Sequence, residues 1–336
     1  MSRTGKQTFI YDEPPLIASH VSIVGPKEGK GPLGGWFDTV IQDDLLGQKS
    51  WEKAESEMLR RCALDAAARA GMPVSAVQLF MAGDLNAQII ASGFCARELK
   101  IPFLGLYGAC STFVEGMVVG SALISGGMLD NALFGASSHF CTAERQFRMP
   151  LEMGTQRTPS AQWTATAAGC GVLRRDSCPG LHVTAGTVGR VIDYDIKDAN
   201  HMGAAMAPAV RDCIRAHFED TGRETGYYDL VVTGDLGWIG RELLMELLEE
   251  SGVHIAEDKL IDCGASLFFK EQDPHAGGSG CGCVASVSCG WIMKRMETGE
   301  LNKVLIVGSG AMLSTTSGMQ GESIPSIAYA ASVEVM

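Results

Sequence analysis

The sequence has no excess of basic residues, and this absence limits the partners it can have. Lysine and arginine number 27 against 39 aspartate and glutamate residues, which gives a formal net charge of −12. A protein that binds nucleic acid along its surface needs a basic patch or stripe, so we exclude that class. A small anionic ligand would gain nothing from long-range attraction, and local donors would have to hold it.

The sequence also lacks an uninterrupted apolar run of the roughly 18–20 residues that a membrane-spanning helix requires. Its most apolar stretch, residues 113–124, is broken by Glu115, Gly116 and Gly120. The opening residues MSRTGKQTFIYDEPP show no basic-then-apolar signal pattern, so the 11 cysteines are expected to be reduced intracellular thiols. We expect a soluble chain that can still dock on a membrane protein.

Motifs of several common catalytic centres are missing as well. The sequence contains no G-x-x-x-x-G-K-[ST] phosphate loop and no H-E-x-x-H zinc motif. Cys281 and Cys283 form a C-x-C pair, but no second pair stands at metal-ligand spacing. We therefore expect neither a metal site nor a bound cofactor.

What is present is an alternation of strand and helix patterns that occurs twice. Three landmarks follow the same order in both halves: G-D-L at 83–85 and 234–236, a small-residue turn at 108–112 and 277–281, and an apolar strand at 133–137 and 305–310. This order predicts an internal duplication of βαβαβ units. We place an irregular N-terminal arm at 1–40, a first half at 41–174 and a second half at 175–336. Alternating strands and helices favour an α/β fold with helices on both faces of the sheets.

Cys110 lies between small residues at the predicted start of a helix that continues to Gly126. The positive end of a helix dipole and free backbone N–H groups favour a thiolate there, and Ser111 and Thr112 can cap the same turn. Cys110 is then a candidate nucleophile. The alternative is a small buried residue, because free cysteine is among the most buried residue types.

The glycine-rich turn HAGGSGCGC supplies the corresponding helix start in the second half. Its amides, including that of Gly278, are candidates to line an anion pocket together with Ser279. His275, just before the turn, is either a base or an exposed loop histidine.

Polar residues also follow the predicted strands. His139, Glu144, Arg145 and Arg148 come after the strand at 131–139, at the edge where α/β sheets gather ligands. The arginines suit carboxylates, although Glu144 and Arg148 could equally pair in a solvated turn. Asp84 and Asp235 either cap the next helix or reach a ligand.

These residues together resemble the thiolase and ketoacyl-synthase superfamily, and more closely the stage V sporulation protein AD family. The matching stretches run in order over nearly the whole chain and include TGKQT, GPKEGKGPLG, GACST, TAERQFR, MGAAMAPA, AGGSGC and ESIP. The resemblance implies a thiolase-like fold whose duplicated βαβαβ halves form a five-layered α-β-α-β-α arrangement. It further implies a homodimer joined at the sheet edges of the first halves, and a pocket around Cys110.

The same resemblance implies a role in the uptake of dipicolinic acid into the developing spore. The partners would be dipicolinic acid, or its calcium chelate, and the membrane proteins of the same spore channel. The soluble chain would be associated peripherally with the spore inner membrane.

The sequence departs from working condensing enzymes of the superfamily at two positions. Asp235 falls where those enzymes need a histidine, and the spacing from His275 to the Gly-Ser-Gly turn is one residue shorter. A carboxylate beside a thiol raises the pKa of the thiol, so the chemistry is predicted to be disabled. The leading hypothesis is therefore a non-catalytic site for dipicolinate. Its predicted ligand-binding residues are Asp84, Cys110, Ser111, His139, Glu144, Arg145, Arg148, Asp235, Gly278 and Ser279.

Two alternatives stay open at this point. One is a cysteine-dependent acyl transferase or condensing enzyme that uses Cys110 with His275 as its base. The other is a purely structural component of the channel assembly.

Overall fold

A computed structural model describes residues 2–147 and 157–336. The helices in these ranges are α1 (Trp51–Arg69), α2 (Ile90–Leu99), α3 (Thr112–Ser125), α4 (Phe140–Phe147), α5 (Met202–Thr221), α6 (Gly237–Glu250), α7 (Cys263–Leu267), α8 (Cys281–Val287), α9 (Met293–Glu297) and α10 (Thr315–Met319). One π-helical turn, Ser288–Ile292, joins α8 to α9.

The strands are β1 (Ser2–Thr4), β2 (Thr8–Ile10), β3 (Leu16–Val24), β4 (Thr39–Val40), β5 (Phe80–Gly83), β6 (Phe103–Gly105), β7 (Asn131–Ser138), β8 (Trp163–Thr164), β9 (Ala167–Arg174), β10 (Leu181–Val188), β11 (Leu230–Thr233), β12 (Leu260–Asp262), β13 (Gly278–Ser279), β14 (Lys303–Ala311) and β15 (Ser326–Val335).

The main sheet consists of two sets of five strands with the same internal order. The first set runs β3-β9-β7-β5-β6 and the second β10-β15-β14-β11-β12. In each set the first three strands pair antiparallel and the last three parallel. The sets meet where β3 and β10 pair at Leu16 and His182. The predicted duplication is therefore confirmed.

Helices cover these strands in five layers. Helices α1 and α2 pack on the first set of strands, and α5 and α6 pack on the second. Helix α3 lies between the sets and contacts strands of both, with α8 beside it. A helix that is buried all round must be apolar all round, which explains the run FVEGMVVGSALI in α3. The predicted α-β-α-β-α arrangement is confirmed, and it brings the starts of α3 and α8 together in the middle layer.

The N-terminal arm is less irregular than the sequence indicates. Strand β3 is a nine-residue strand of the main sheet, and most of its side chains are buried. Because both faces are covered, its residues LIASHVSIV show no alternation of apolar and polar side chains. The many Pro, Gly and Lys residues around this segment favoured an irregular arm. For β3 that expectation was wrong.

No helix within the described ranges combines the length and apolar character needed to cross a membrane.

The contact between β9 and α8 leaves no room for a side chain at Gly169. A Cβ atom there would lie 2.4 Å from the backbone carbonyl carbon and oxygen of Ala285. We expect Gly169→Ala to lower the free energy of unfolding by about 1–3 kcal/mol, because overpacking forces the backbones apart. Urea denaturation of the purified chain measures this change.

Gly93→Ala is the matched control, because a Cβ at Gly93 on α2 would meet no atom within 4 Å. Its stability should rise by roughly 0.5–1 kcal/mol, since alanine favours a helix over glycine. Equal stabilities of the two variants would contradict this account of the layer contact.

Candidate functional site

Cys110 lies at the junction of β6 and α3 in a single 3-10 turn, Ala109–Ser111, that leads into the helix. The hydroxyl of Ser111 donates to the carbonyl oxygen of Gly108 at 2.6 Å, and Thr112 Oγ1 accepts from the N–H of Gly108 at 3.0 Å. These side chains therefore close the turn before the helix. They do not cap the first N–H groups of the helix, so the expected capping by Ser111 and Thr112 is wrong. Cys110 itself is 4% exposed.

Asp235 follows β11 and is fully buried. Its Oδ2 accepts from the N–H of Gly280 at 2.7 Å and from the hydroxyl of Ser279 at 3.2 Å. Its Oδ1 accepts from the hydroxyl of Ser309 at 2.9 Å. The backbone donor at the start of α8 is thus occupied by a carboxylate of the chain itself, and the glycine-rich turn does not offer it to an external anion.

Gly280 makes this contact possible. Its φ is +104°, in the left-handed region that side chains rarely adopt, and a Cβ there would lie 2.7 Å from Ser138 Oγ. Glycine is therefore required for the N–H of residue 280 to face Asp235.

Asp262, at the end of β12, holds the turn that carries Asp235. Its Oδ2 accepts from the N–H of Leu236 at 2.9 Å, and its Oδ1 accepts from the N–H of Gly237, also at 2.9 Å. Burial raises the pKa of Asp262 to about 6, although several donors oppose this shift. The sequence analysis missed this residue. Its signal was an aspartate at the end of a strand and three residues before Ala265, whose N–H it caps.

The thiol of Cys110 lies within the electrostatic reach of the carboxylate of Asp235. Burial and the negative charge of Asp235 hold the pKa of Cys110 well above its ordinary value. Burial also raises the pKa of Asp235, while its hydrogen bonds lower it. The thiol is therefore protonated at neutral pH, and an attacking thiolate is disfavoured.

His275 does not reach this centre. Its Nδ1 lies 2.6 Å from the carbonyl oxygen of Thr158, and its Nε2 lies 3.1 Å from the carboxylate of Asp273. Neither ring nitrogen is left to take a proton from Cys110, so the alternative with His275 as the base has no geometric support.

A small, largely enclosed cavity of about 30 Å³ lies over Cys110, enough for roughly two water molecules. Three predicted ligand residues line it: Cys110, Glu144 and Ser279. Its other lining residues are Leu85, Tyr107, Ala109, Ala143, Phe147, Thr164, Met202, Ala311 and Leu313. The cavity is thus mainly apolar, with one carboxyl group on its wall.

An open groove of about 440 Å³ lies next to this cavity and shares Phe147 and Leu313 with it. Arg145 and Lys197 line the groove, together with the hydroxyl residue Ser314 and others of the segment 313–319. Arg145 also forms an ion pair with Glu52 of α1. The structure therefore places Arg145 at the mouth of the site and not against Cys110.

Other predicted ligand residues lie away from the cavity. Asp84 accepts from the N–H groups of Asn86 and Ser92 at 2.8 and 2.7 Å, so it closes its own turn. His139 accepts from the N–H of Cys141 and lies 3.1 Å from the carbonyl oxygen of Asp44, which satisfies both ring nitrogens. Burial lowers the pKa of His139, which keeps it neutral.

Gly278 pairs with Trp163 in the short ladder of β13 and β8, and Ser111 is occupied as described above. Arg148 lies outside the described residues. Polar residues at strand ends were predicted to converge, but several face local backbone groups because those groups would otherwise be buried without a partner.

Among the described residues, no group of three or more His, Cys, Asp and Glu side chains is placed to hold a metal ion.

Comparison with known proteins identifies similar sequences over nearly the full length. The model of the family described as stage V sporulation protein AD matches residues 5–334. The stage V sporulation protein AD of Bacillus subtilis strain 168 is 42% identical over 330 residues, which cover 98% of this chain and 97% of that protein.

Solved structures share the fold of this chain at low sequence identity. The 3-oxoacyl-[acyl-carrier-protein] synthase III of Aquifex aeolicus VF5 is 12% identical, with a TM-score of 0.60 over 95% of this chain and 99% of that chain. Cerulenin-bound OleA of Xanthomonas campestri is 14% identical, with a TM-score of 0.64 over 97% and 100% of the two chains. At these identities the likeness establishes the thiolase-like fold.

The contact with Asp235 makes the reactivity of Cys110 testable. We expect Asp235→Asn to speed alkylation of Cys110 by iodoacetamide at pH 8, by about tenfold for each unit that the pKa of the thiol falls. Peptide mass spectrometry over time gives the rate for each cysteine.

Cys178, which is exposed, provides the reference rate within the same chain. In the wild-type chain Cys110 should react far more slowly than Cys178. Equal rates for these two thiols, or no effect of Asp235→Asn, would show that Asp235 does not suppress the thiol.

Proposed function

The chain belongs to the stage V sporulation protein AD family, and we propose that this sporulation protein binds dipicolinic acid non-catalytically for uptake into the developing spore. One observation carries the proposal: a thiolase-like centre with a protonated thiol lies beside a groove that carries cationic side chains. Among the described residues, no histidine lines the cavity over Cys110, so the centre has the shape of an enzyme pocket without an imidazole base at the thiol.

The size of the cavity supports a ligand position in the groove. The cavity of about 30 Å³ has room for roughly two waters. The volume of a pyridine ring with two carboxylates is far larger than that. The groove of about 440 Å³ is large enough for it. We infer that the ligand lies in the groove and extends toward Cys110 only when the wall between them opens.

The charges of the groove support an anionic ligand. In a chain of net charge −12, Arg145 and Lys197 provide two positive side chains among the lining residues, against one negative side chain, Glu322. The guanidinium of Arg145 offers the planar donors that bind a carboxylate in pairs. It lies with its Cζ 5.5 Å from the ring centre of Trp51, which limits its movement.

Calorimetric titration of the purified chain with dipicolinate tests the proposal. We expect saturable binding, and weaker binding of isophthalate, which has the same two carboxylates but no ring nitrogen. Arg145→Gln should weaken dipicolinate binding by about ten- to a hundredfold, since a charged hydrogen bond contributes about 1.5–3 kcal/mol.

Arg61→Gln is the matched control, because Arg61 also forms an ion pair on α1, with Glu57, but does not line the groove. It should leave the affinity unchanged. Absence of saturable binding at millimolar dipicolinate would rule out the chain alone as the binder. Normal dipicolinate uptake in spores that carry Arg145→Gln would favour the structural role instead.

We also propose that the chain forms a homodimer through β6. This strand is the last of its set, and its outer edge has no partner strand within the described chain. Leu104 of this strand is 40% exposed, and Tyr107, two residues after the strand, is 45% exposed. An exposed edge with apolar side chains suits pairing with a second copy.

Leu104→Lys should shift the chain from dimer to monomer in analytical ultracentrifugation, because it puts a charge into the paired edge. Met128→Lys, at another exposed apolar residue, should leave the dimer intact. A wild-type chain that sediments as a monomer would contradict the proposed dimer.

A further inference from the structure

Helix α4 forms one wall of the cavity over Cys110, through Ala143, Glu144 and Phe147. Its first residue is firmly anchored: the ring of Phe140 stacks on Trp163 with centroids 3.9 Å apart. The C-terminal end of α4 is held by polar contacts to α1 and to the loop after β5. Arg145 pairs with Glu52, and Gln146 bonds to the N–H of Ala87 at 2.8 Å and the carbonyl of Leu85 at 3.3 Å.

A buried carboxyl group lies beneath this wall. Glu55 of α1 is fully buried, and its oxygens contact the side chains of Ser137, Asn86 and Thr142. The hydroxyl of Thr142 lies 2.8 Å from Glu55 Oε2 and 3.0 Å from the carbonyl oxygen of His139. A hydroxyl has one hydrogen, and a carbonyl oxygen cannot donate. If Glu55 is charged, this one hydrogen has to serve two acceptors, whereas a protonated Glu55 can donate to Thr142 and leave that hydrogen to His139.

The neighbouring Asp84 explains why Glu55, and not Asp84, keeps the proton. Asp84 accepts from two backbone N–H groups, which favour its charged form, whereas the hydroxyl of Thr142 can reverse its direction. Burial, and then the charge of Asp84, raise the pKa of Glu55 to about 8. Burial raises the pKa of Asp84 as well. The two carboxyl groups therefore hold at least one proton at neutral pH.

We propose that α4 is a lid over the Cys110 cavity and that the proton on buried Glu55 holds this lid closed. When the proton leaves, the bond donated to Thr142 is lost and a second negative charge appears beside Asp84. Water can relieve that charge only if α4 moves away from α1. The movement would open the wall formed by Ala143 and Phe147 and join the cavity to the groove.

Four other titratable groups near the pair, Cys281, Cys95, Tyr107 and His139, keep their charge state over the relevant pH range. Burial raises the pKa of Cys281 and of Cys95, and it raises that of Tyr107 to about 12. Burial lowers the pKa of His139, so it too is neutral. Glu144 of α4 is a further buried carboxyl group near Thr142, and a Glu55→Gln variant separates the effect of Glu55 from it.

The direction of the pH effect follows from the two states of Glu55. In the closed state its pKa is about 8, and in an open, hydrated state it returns to the ordinary value of 4.5. Between pH 4.5 and 8 the closed state binds one proton more than the open state. The stability of the closed state relative to the open state therefore falls as the pH rises toward 8. The open fraction should rise by up to about tenfold per pH unit in this window and change little above it.

Hydrogen exchange of the full ligand-free chain, measured between pH 5.5 and 9, tests the lid. After correction for the chemical exchange rate, the protection of α4 should fall steeply up to pH 8 and then level off. The protection of α3 should stay constant and serves as the internal reference. Glu55→Gln should keep α4 protected at every pH, because the amide donates to Thr142 but cannot ionise.

Glu52→Gln is the matched control, since Glu52 also joins α1 to α4 but is partly exposed. It should keep the pH dependence. Equal pH dependence in Glu55→Gln, or none in the wild-type chain, would overturn the proposal. Loss of hydrogen-exchange protection in α3 would show that Glu55→Gln does not fold. In that case Thr142→Val tests the lid. It should lower the protection of α4 at pH 5.5, and unchanged protection would count against the lid.

The role of the lid in admitting dipicolinate rests on the proposed function, whereas the opening itself does not. Because the exchange experiment uses no ligand, its failure would leave the calorimetric result standing. A failed titration would equally leave the lid standing.

Discussion

The contact between the Asp235 carboxylate and the N–H of Gly280, 2.7 Å long, fixes the arrangement of the centre. It joins the end of β11 to the start of α8, and the Ser309 hydroxyl ties the same carboxylate to β14. The start of a helix favours a negative group, and here the chain provides one internally. That choice determines the state of Cys110, because a buried carboxylate beside a thiol keeps the thiol protonated. The thiolase-like fold is present, and the thiol at its centre is held in the protonated form.

The internal duplication shows how one short pattern acquires two roles. Asp84 and Asp235 occupy the same position after equivalent strands, β5 and β11. Asp84 closes its own turn and lies near Glu55, whereas Asp235 binds the N–H of Gly280 in the glycine-rich turn before α8. Their neighbours differ because Glu55 and Gly280 come from helices that are not equivalent in the two halves. The repeated fold fixes where each carboxylate stands, and residues distant in sequence decide its chemistry.

The sequence predicts the fold well because most elements follow a clear rule. The amphipathic pattern of α1, the apolar run of α3 and the paired landmarks are local signals, and all of them correspond to observed elements. Strand β3 was missed because a strand buried on both faces has no period to detect. The site was predicted less completely. Cys110, Glu144 and Ser279 do line one cavity, but His139 and Asp84 are satisfied locally. The orientation of these two side chains depends on nearby backbone groups, whose positions cannot be predicted from the sequence pattern.

The positions of the charged side chains around the cavity determine where an acidic chain can hold a dianion. The inner end of the site carries Asp235, and Glu144 stands on the wall, so a dicarboxylate would be repelled from the deep position. The positive groups, Arg145 and Lys197, lie outside in the groove. In the proposed function this separation holds the carboxylates near the surface and leaves only the ring to face the apolar wall. An enzyme must bring its substrate to the thiol, whereas a carrier gains from a site that releases its ligand unchanged. The loss of reactivity and the outward position of the positive charge therefore favour the same function.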